Sequence, residues 1–237
     1  MKIALLNGSP RAKNVSGFVL ADLKSTIGDK SDFAEFNLYK NRLTEEEIKE
    51  ILSCNAIVIA APLYIDALPS HVVQALTDIE AISGSSQKNI NVFAVINCGF
   101  SESVNNLTAI RIVSNWCTKC GFRWMYGLGI GSGERLLVEK NSSGNSKITL
   151  WSIIGFIAVK VFTYEPEFLE KIRKNSYRKA SDKMASDILQ AKSGENIYVR
   201  CFFPKTVFLS NLMTNASFFV KLKTNGNKLN DMTKKDI

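Results

Sequence analysis

The sequence has little histidine, few cysteines and no long hydrophobic run. His71 is the single histidine in 237 residues, and the sequence offers neither a catalytic triad nor a metal site. The five cysteines are an odd number, and Met1 leads straight into an apolar pattern without a basic region or cleavage site. We therefore expect no disulfide framework and a cytoplasmic location. No 18 consecutive apolar residues occur, which argues against a membrane-spanning helix.

Composition and charge indicate a folded chain with a basic last third. Hydrophobic residues make up 46% and charged residues 22% of the sequence, as in globular proteins. Residues 160–237 contain 15 Lys or Arg against 8 Asp or Glu, a net of +7 out of +8 for the chain. A basic charge often indicates a nucleic-acid partner. Here it is mixed with very apolar segments, so binding to an anionic membrane surface or to a partner chain is an alternative interpretation. We expect no nucleic-acid partner.

Apolar runs alternate with helix-like segments over residues 1–130. Strands are predicted at Lys2–Leu6, Asp32–Leu38, Ala56–Ala61, Asn91–Ile96 and Trp124–Ile130. Helices are predicted at Ser16–Ile27, Thr44–Ser53, Pro69–Ile82, Val104–Cys120 and, further on, Glu167–Lys192. Thr44 and Glu47 form a capping-box pattern. We predict an α/β fold, a flavodoxin-like doubly wound sheet of five parallel strands in the order 2-1-3-4-5.

The loop after the first predicted strand suits a phosphate group. It covers Asn7–Ser16 and, in a doubly wound sheet, lies at the ligand crevice. Ser9 and Ser16 offer hydroxyls, Asn14 an amide and the helix start free backbone N–H groups. Arg11 adds a charged donor fork. The loop is neither a Walker A motif nor a dinucleotide fingerprint, and the alternative is a capped turn with a solvated arginine.

Gly8-Ser9-Pro10-Arg11, directly after the first strand, resembles the NAD(P)H-dependent FMN reductase and flavodoxin-like quinone reductase superfamily. The resemblance covers residues 1–130 and includes clostridial-type flavodoxin family proteins, which are also similar at the glycine-rich residues 127–134. It implies that four residues hold the FMN phosphate: Ser9, Arg11, Asn14 and Ser16.

Two further loops resemble the segments with which this superfamily contacts the flavin. After the third strand the matching residues are Pro62, Leu63, Tyr64 and Ile65. After the fourth strand they are Asn97, Gly99, Phe100 and Glu102. Apolar contact plus backbone hydrogen bonds suits an isoalloxazine ring. The alternatives are a packing role for Tyr64 and a helix-start charge for Glu102.

Cysteine and histidine positions allow weaker predictions. Cys117 and Cys120 have CxxC spacing late in a predicted helix, where we prefer packing over a redox or metal role. The chain lacks the compact cysteine cluster of iron–sulfur flavoproteins, so we expect no metal. For His71, at a helix start, we prefer a surface residue of the capping region over a proton donor near the flavin.

The resemblance implies an oxidoreductase with bound FMN that passes electrons from NAD(P)H, as co-substrate, to a small acceptor such as a quinone, flavin, azo or nitro compound. No catalytic side chain is expected, because the flavin carries the chemistry. The alternatives are an electron-transfer flavoprotein fed by a protein partner and a non-enzymatic flavin-binding protein.

We predict a flavodoxin-like FMN-binding domain at residues 1–195 and an apolar, basic C-terminal extension with helical segments at residues 196–237. Another apolar helix is predicted at Ile148–Phe162. Because proteins of this superfamily often dimerise, we expect a homodimer in which the extension packs on the partner subunit or on its own core. Peripheral membrane contact through the extension is the alternative.

Overall fold

Parallel strands form a single sheet in the computed structural model, which describes residues 1–84, 89–100, 102–137 and 167–201. The six strands are β1 (Lys2–Asn7), β2 (Asp32–Asn37), β3 (Ala56–Pro62), β4 (Asn91–Asn97), β5 (Arg123–Gly131) and β6 (Ile197–Arg200). Their order across the sheet is β2-β1-β3-β4-β5-β6, and every neighbouring pair runs parallel. The first five strands have the order 2-1-3-4-5, so the predicted flavodoxin-like topology is confirmed.

The predicted strand count is wrong by one, because β6 adds a sixth strand. It pairs with β5, with Leu128 opposite Ile197 and Gly131 opposite Arg200. Four residues are too few to show a strand periodicity, and the segment lies in the part of the sequence predicted as an extension. Its pairing with a strand about 70 residues earlier is a tertiary contact that no local pattern encodes. The division of the chain at residue 195 itself stays a prediction.

Helices follow the strands close to the predicted bounds. They are α1 (Val15–Ile27), α2 (Glu45–Leu52), α3 (Ser70–Ser83), α4 (Leu107–Cys120) and α5 (Glu167–Gln190). A 3-10 turn, Ser103–Asn106, replaces the predicted start of α4. The predicted helix Ile148–Phe162 lies outside the described residues. Within the described part of the chain, no helix is both long enough and apolar enough to cross a membrane.

The capping box predicted for α2 is confirmed. Thr44 Oγ1 accepts a hydrogen bond from the Glu47 N–H at 3.2 Å, and the Glu47 carboxylate accepts one from the Thr44 N–H at 2.8 Å. The two bonds satisfy backbone donors that a helix start leaves without partners.

Two buried cores lie on opposite faces of the sheet. Side chains of β3 alternate between them: Ile57 and Ile59 pack with residues of α2, α3 and α4, whereas Val58 packs with residues of α1 and α5. This alternation is why the central strands are apolar throughout, as expected for a sheet with helices on both faces.

Buried polar contacts dock α5 in the second of these cores. The Tyr126 hydroxyl of β5 donates to Asp187 Oδ2 at 2.9 Å, and Lys183 Nζ also contacts this oxygen. Burial is the main cause that raises the pKa of Tyr126, so the phenol stays protonated and can donate. The hydroxyls of Tyr177 and Ser181 donate to Asp22 Oδ2 of α1, at 2.9 and 2.8 Å.

Substitution of Asp187 tests this docking. In Asp187→Ala we expect the free energy of unfolding to fall by about 1–3 kcal/mol, because a fully buried hydroxyl loses its acceptor. Urea unfolding followed by circular dichroism measures the loss. Asp182→Ala removes an exposed carboxylate from the same helix and should change stability by less than about 0.5 kcal/mol. Equal losses in the two variants would contradict a special role for the buried contact.

Candidate functional site

A cleft lies where the carboxyl ends of β1, β3, β4 and β5 meet. The cleft is open to solvent, and together with the solvent at its mouth it encloses about 520 Å³. In doubly wound sheets this edge is where ligands bind. Eight predicted site residues line the cleft: Ser9, Arg11, Asn14, Pro62, Leu63, Tyr64, Asn97 and Gly99.

Four predicted site residues do not line the cleft. Ser16 is 1% exposed, and its Oγ accepts a hydrogen bond from Asn97 Nδ2 at 3.0 Å. Ile65 and Phe100 are 99% and 52% exposed, on the loops that follow β3 and β4. Glu102 is exposed and directly precedes the 3-10 turn before α4. Contact of these four residues with a ligand stays a prediction.

The lining also includes residues that the sequence analysis did not single out: Val15, Cys98, Glu134 and Leu137. Val15 and Cys98 are neighbours of predicted residues in the same loops. Glu134 and Leu137 belong to a 3-10 turn, Gly133–Leu137, after β5. The glycine-rich pattern located that loop but could not show which of its side chains face the cleft.

The start of α1 presents unpaired backbone donors. Asn14 caps the helix: its Oδ1 accepts from the Gly17 N–H at 2.6 Å and its Nδ2 donates to the Arg11 carbonyl at 2.7 Å. The backbone N–H groups of Val15 and Ser16 have no hydrogen-bond acceptor among the described residues. Together with the positive end of the helix dipole, these donors suit an anion.

Arg11 adds a positive charge at the rim of the cleft. Its Nη1 lies 3.3 Å from Glu134 Oε1, and the two side chains are 68% and 72% exposed. An exposed pair of this kind contributes at most about 1 kcal/mol. An anion in the cleft can therefore replace Glu134 as the partner of Arg11 at little cost in free energy.

The buried side chain of Asn97 connects three segments around the cleft. Its Nδ2 donates to Ser16 Oγ of α1 and to the Ala61 carbonyl of β3, both at 3.0 Å. Because a carbonyl oxygen only accepts, the nitrogen of the amide must face Ala61. The backbone carbonyl of Asn97 also accepts a hydrogen bond, from the Leu63 N–H at 2.7 Å. The helix start and the ends of β3 and β4 are thus held at fixed positions.

Part of the cleft lining is apolar and open. Pro62, Leu63 and Tyr64 form it on the β3 side, and Tyr64 is 41% exposed. A Cβ added to Gly99 would meet no atom within 4 Å, so packing does not require glycine there. The missing side chain leaves room at the cleft for a flat group to approach the backbone.

A strained tight turn follows Tyr64. The backbone N–H and carbonyl groups of Tyr64 and Ala67 bond to each other, at 2.9 and 3.1 Å. The two central residues, Ile65 and Asp66, have φ angles of 47° and 59°, in the left-handed region that glycine or asparagine usually occupies. A β-branched residue is disfavoured there.

Thiols at and near the site are buried. Burial raises the pKa of Cys98, whose Sγ lies 3.6 Å from the Phe100 carbonyl oxygen. Cys117 and Cys120 are both buried in α4, and burial raises the pKa of the Cys117 thiol. This environment agrees with the packing role that we preferred for the CxxC pair. Among the described residues, no three or more His, Cys, Asp and Glu side chains cluster as a metal site would require.

Comparison with known proteins adds structural likenesses only. No family model and no curated protein matches this chain. An NADH:FMN oxidoreductase in its apo form has 12% identity and a TM-score of 0.48, over 59% of this chain and 80% of that one. An NAD(P)H:quinone oxidoreductase from Methanothermobacter marburgensis has 14% identity and a TM-score of 0.47, over 60% and 90%. An azoreductase from Bacillus anthracis has 13% identity and a TM-score of 0.45, over 57% and 89%.

At identities of 12–14% and TM-scores below 0.5, these three likenesses carry no argument for the activity of this chain.

Substitution of Asn97 tests the connection between the loops. Asn97→Asp places a carboxylate oxygen against the Ala61 carbonyl, so two acceptors face each other in a buried site. We expect the free energy of unfolding to fall by about 2–3 kcal/mol in a urea titration. Asn105→Asp, at a half-buried position nearby, is the control and should cost less than about 0.5 kcal/mol. Similar costs for both variants would argue against the connecting role.

Substitution of Ile65 tests the strain in the turn. In Ile65→Asn we expect a gain of about 0.5–1 kcal/mol in unfolding free energy, because asparagine tolerates the left-handed region and the exposed isoleucine loses no packing. Val104→Asn replaces another exposed β-branched residue, one without a positive φ, and should bring no gain. Thermal unfolding of both variants measures the difference, and a loss of stability in Ile65→Asn would refute the strain.

Proposed function

We propose that this protein binds FMN in the cleft and transfers electrons from NAD(P)H to a small acceptor such as a quinone, flavin, azo or nitro compound. One observation carries the proposal: the start of α1, where the Val15 N–H group has no acceptor, and an apolar wall with an open glycine border the same cleft. FMN has a phosphate at one end and a flat apolar ring with a polar edge at the other, so it requires both features together.

The donor set fits the phosphate end of FMN. Ser9, Arg11, Asn14 and Val15 line the cleft, and the backbone N–H group of Val15 is free. Charge-assisted hydrogen bonds from a guanidinium and a helix start are the usual way in which proteins hold a phosphate. Since Arg11 has only a weak exposed partner, it is available to such an anion.

The apolar lining fits the ring. Pro62, Leu63 and Tyr64 offer flat contact, and Gly99 leaves room for close approach to the backbone. The redox chemistry at such a site is supplied by the bound flavin. The protein's part is to hold the phosphate and the ring and to leave one face open, so we assign no catalytic side chain.

The predicted homodimer contact and the alternative of a membrane contact were assigned to the extension at residues 196–237, of which residues 202–237 lie outside the described residues. Both remain predictions, as does the choice between NADH and NADPH.

An anaerobic reductive titration tests the proposed function. The full-length protein is mixed with FMN, freed of excess ligand and titrated with NADH or NADPH while flavin absorbance is followed. We expect retained FMN and rapid bleaching by a nicotinamide. Bleaching only by dithionite or reduced ferredoxin would favour the electron-transfer flavoprotein instead. A protein that retains no FMN would contradict both functions.

A further inference from the structure

The single histidine of the chain contacts the loop at residues 8–14, which we propose to hold the phosphate and call the phosphate-binding loop, and it does not line the cleft. His71 lies in the first turn of α3, in the capping region as predicted, and is half-buried rather than fully exposed. Its Nε2 lies 2.9 Å from the carbonyl oxygen of Gly8. A carbonyl oxygen only accepts, so Nε2 carries a proton and donates.

Gly8 is held tightly at the point where β1 passes into the loop. Its N–H donates to the Ala60 carbonyl of β3 at 2.8 Å. A Cβ on Gly8 would lie 2.6 Å from Val72 Cγ2 and 3.0 Å from Ala61 Cβ, so only glycine allows this approach. The first turn of α3 therefore packs closely against Gly8 through Val72 and forms a hydrogen bond with it through His71.

The hydrogen bond from His71 fixes one end of a peptide unit whose other end is also fixed. The Gly8 carbonyl and the Ser9 N–H belong to the same planar peptide group. The Ser9 N–H donates to Asn7 Oδ1 at 3.0 Å, while His71 donates to the carbonyl at 2.9 Å. Rotation of this unit would break both bonds at once and would reorient Ser9, whose Oγ accepts from the Arg11 N–H at 3.4 Å.

The imidazole is itself supported by the segment that follows β2. The ring of Tyr39 meets that of His71 edge-on, with centroids 5.5 Å apart and an interplanar angle of 72°. Arg42, three residues on, forms a two-pronged contact with Asp78 of α3, at 2.8 and 2.6 Å. The β2–α2 loop and α3 thus hold His71 from two sides.

We propose that His71 is a positioning residue that preorganises the phosphate-binding loop through the Gly8–Ser9 peptide unit. This inference rests on the proposed function, in which that loop holds the phosphate of FMN. Without the hydrogen bond from His71, the Gly8–Ser9 peptide unit can rotate more freely. Phosphate binding must then order this unit, and the entropy lost weakens the affinity. FMN and riboflavin differ only by the phosphate, so the effect is specific to FMN.

The experiment compares FMN and riboflavin affinities of the full-length protein by quenching of flavin fluorescence. In His71→Ala we expect FMN binding to weaken about three- to tenfold, as for loss of one preorganising hydrogen bond. Riboflavin affinity should change by less than about twofold, because riboflavin has no phosphate to contact the loop that His71 positions. His71→Gln, whose side-chain amide can donate to the same carbonyl, should restore most of the loss. Val73→Ala, an exposed position in the same helical turn, is the matched control.

Equal weakening of FMN and riboflavin binding in His71→Ala, or no weakening of either, would overturn the positioning role. Hydrogen exchange of the flavin-free protein is a second readout, and the Gly8 and Ser9 amides should exchange faster in His71→Ala than in Val73→Ala. A wild-type protein that binds neither flavin would contradict the proposed function, and the exchange rates would then decide on His71 alone. Unchanged exchange would overturn the inference.

Discussion

The buried carboxamide of Asn97 is the constraint on which the candidate site depends. Its two N–H groups bond to Ser16 of α1 and to the Ala61 carbonyl of β3, while its own strand, β4, brings Gly99 to the cleft. A buried donor or acceptor left without a partner costs about 1–3 kcal/mol, so the three segments cannot shift independently. The anion donors at the helix start and the apolar wall consequently keep a fixed spacing, as a ligand with two dissimilar ends requires.

The interior of the candidate site is held by buried hydrogen bonds, whereas the ion pair at its rim can exchange partners. Hydrogen bonds from His71 and to Asn7 hold both ends of the Gly8–Ser9 peptide unit, and the Asn14 cap holds the following helix start. By contrast, the pair between Arg11 and Glu134 is exposed and weak. In the proposed function, binding of FMN would therefore require little ordering of the protein, and Arg11 would be able to exchange Glu134 for the phosphate.

Sequence patterns were sufficient where the physical cause is local. The apolar runs predicted β1–β5, and the Thr44–Glu47 capping box predicted the start of α2, because periodicity and caps act within a few residues. Parallel strands bring their carboxyl ends to one edge, so the order of loops along the chain placed eight of the predicted residues around the cleft. The sixth strand escaped prediction because only its pairing with β5 makes Ile197–Arg200 a strand.

The sequence by itself therefore determined the doubly wound sheet and the loops that surround the cleft, since both follow from alternation, glycine placement and the geometry of parallel strands. Tertiary structure alone decided which side chains of those loops face the cleft. Ser16 turns away to bond to Asn97, Glu134 reaches across to Arg11, and His71 turns to the Gly8 carbonyl. These side-chain orientations depend on contacts between residues 63 to 123 positions apart. Such contacts form only when the folded sheet brings the donors and acceptors together.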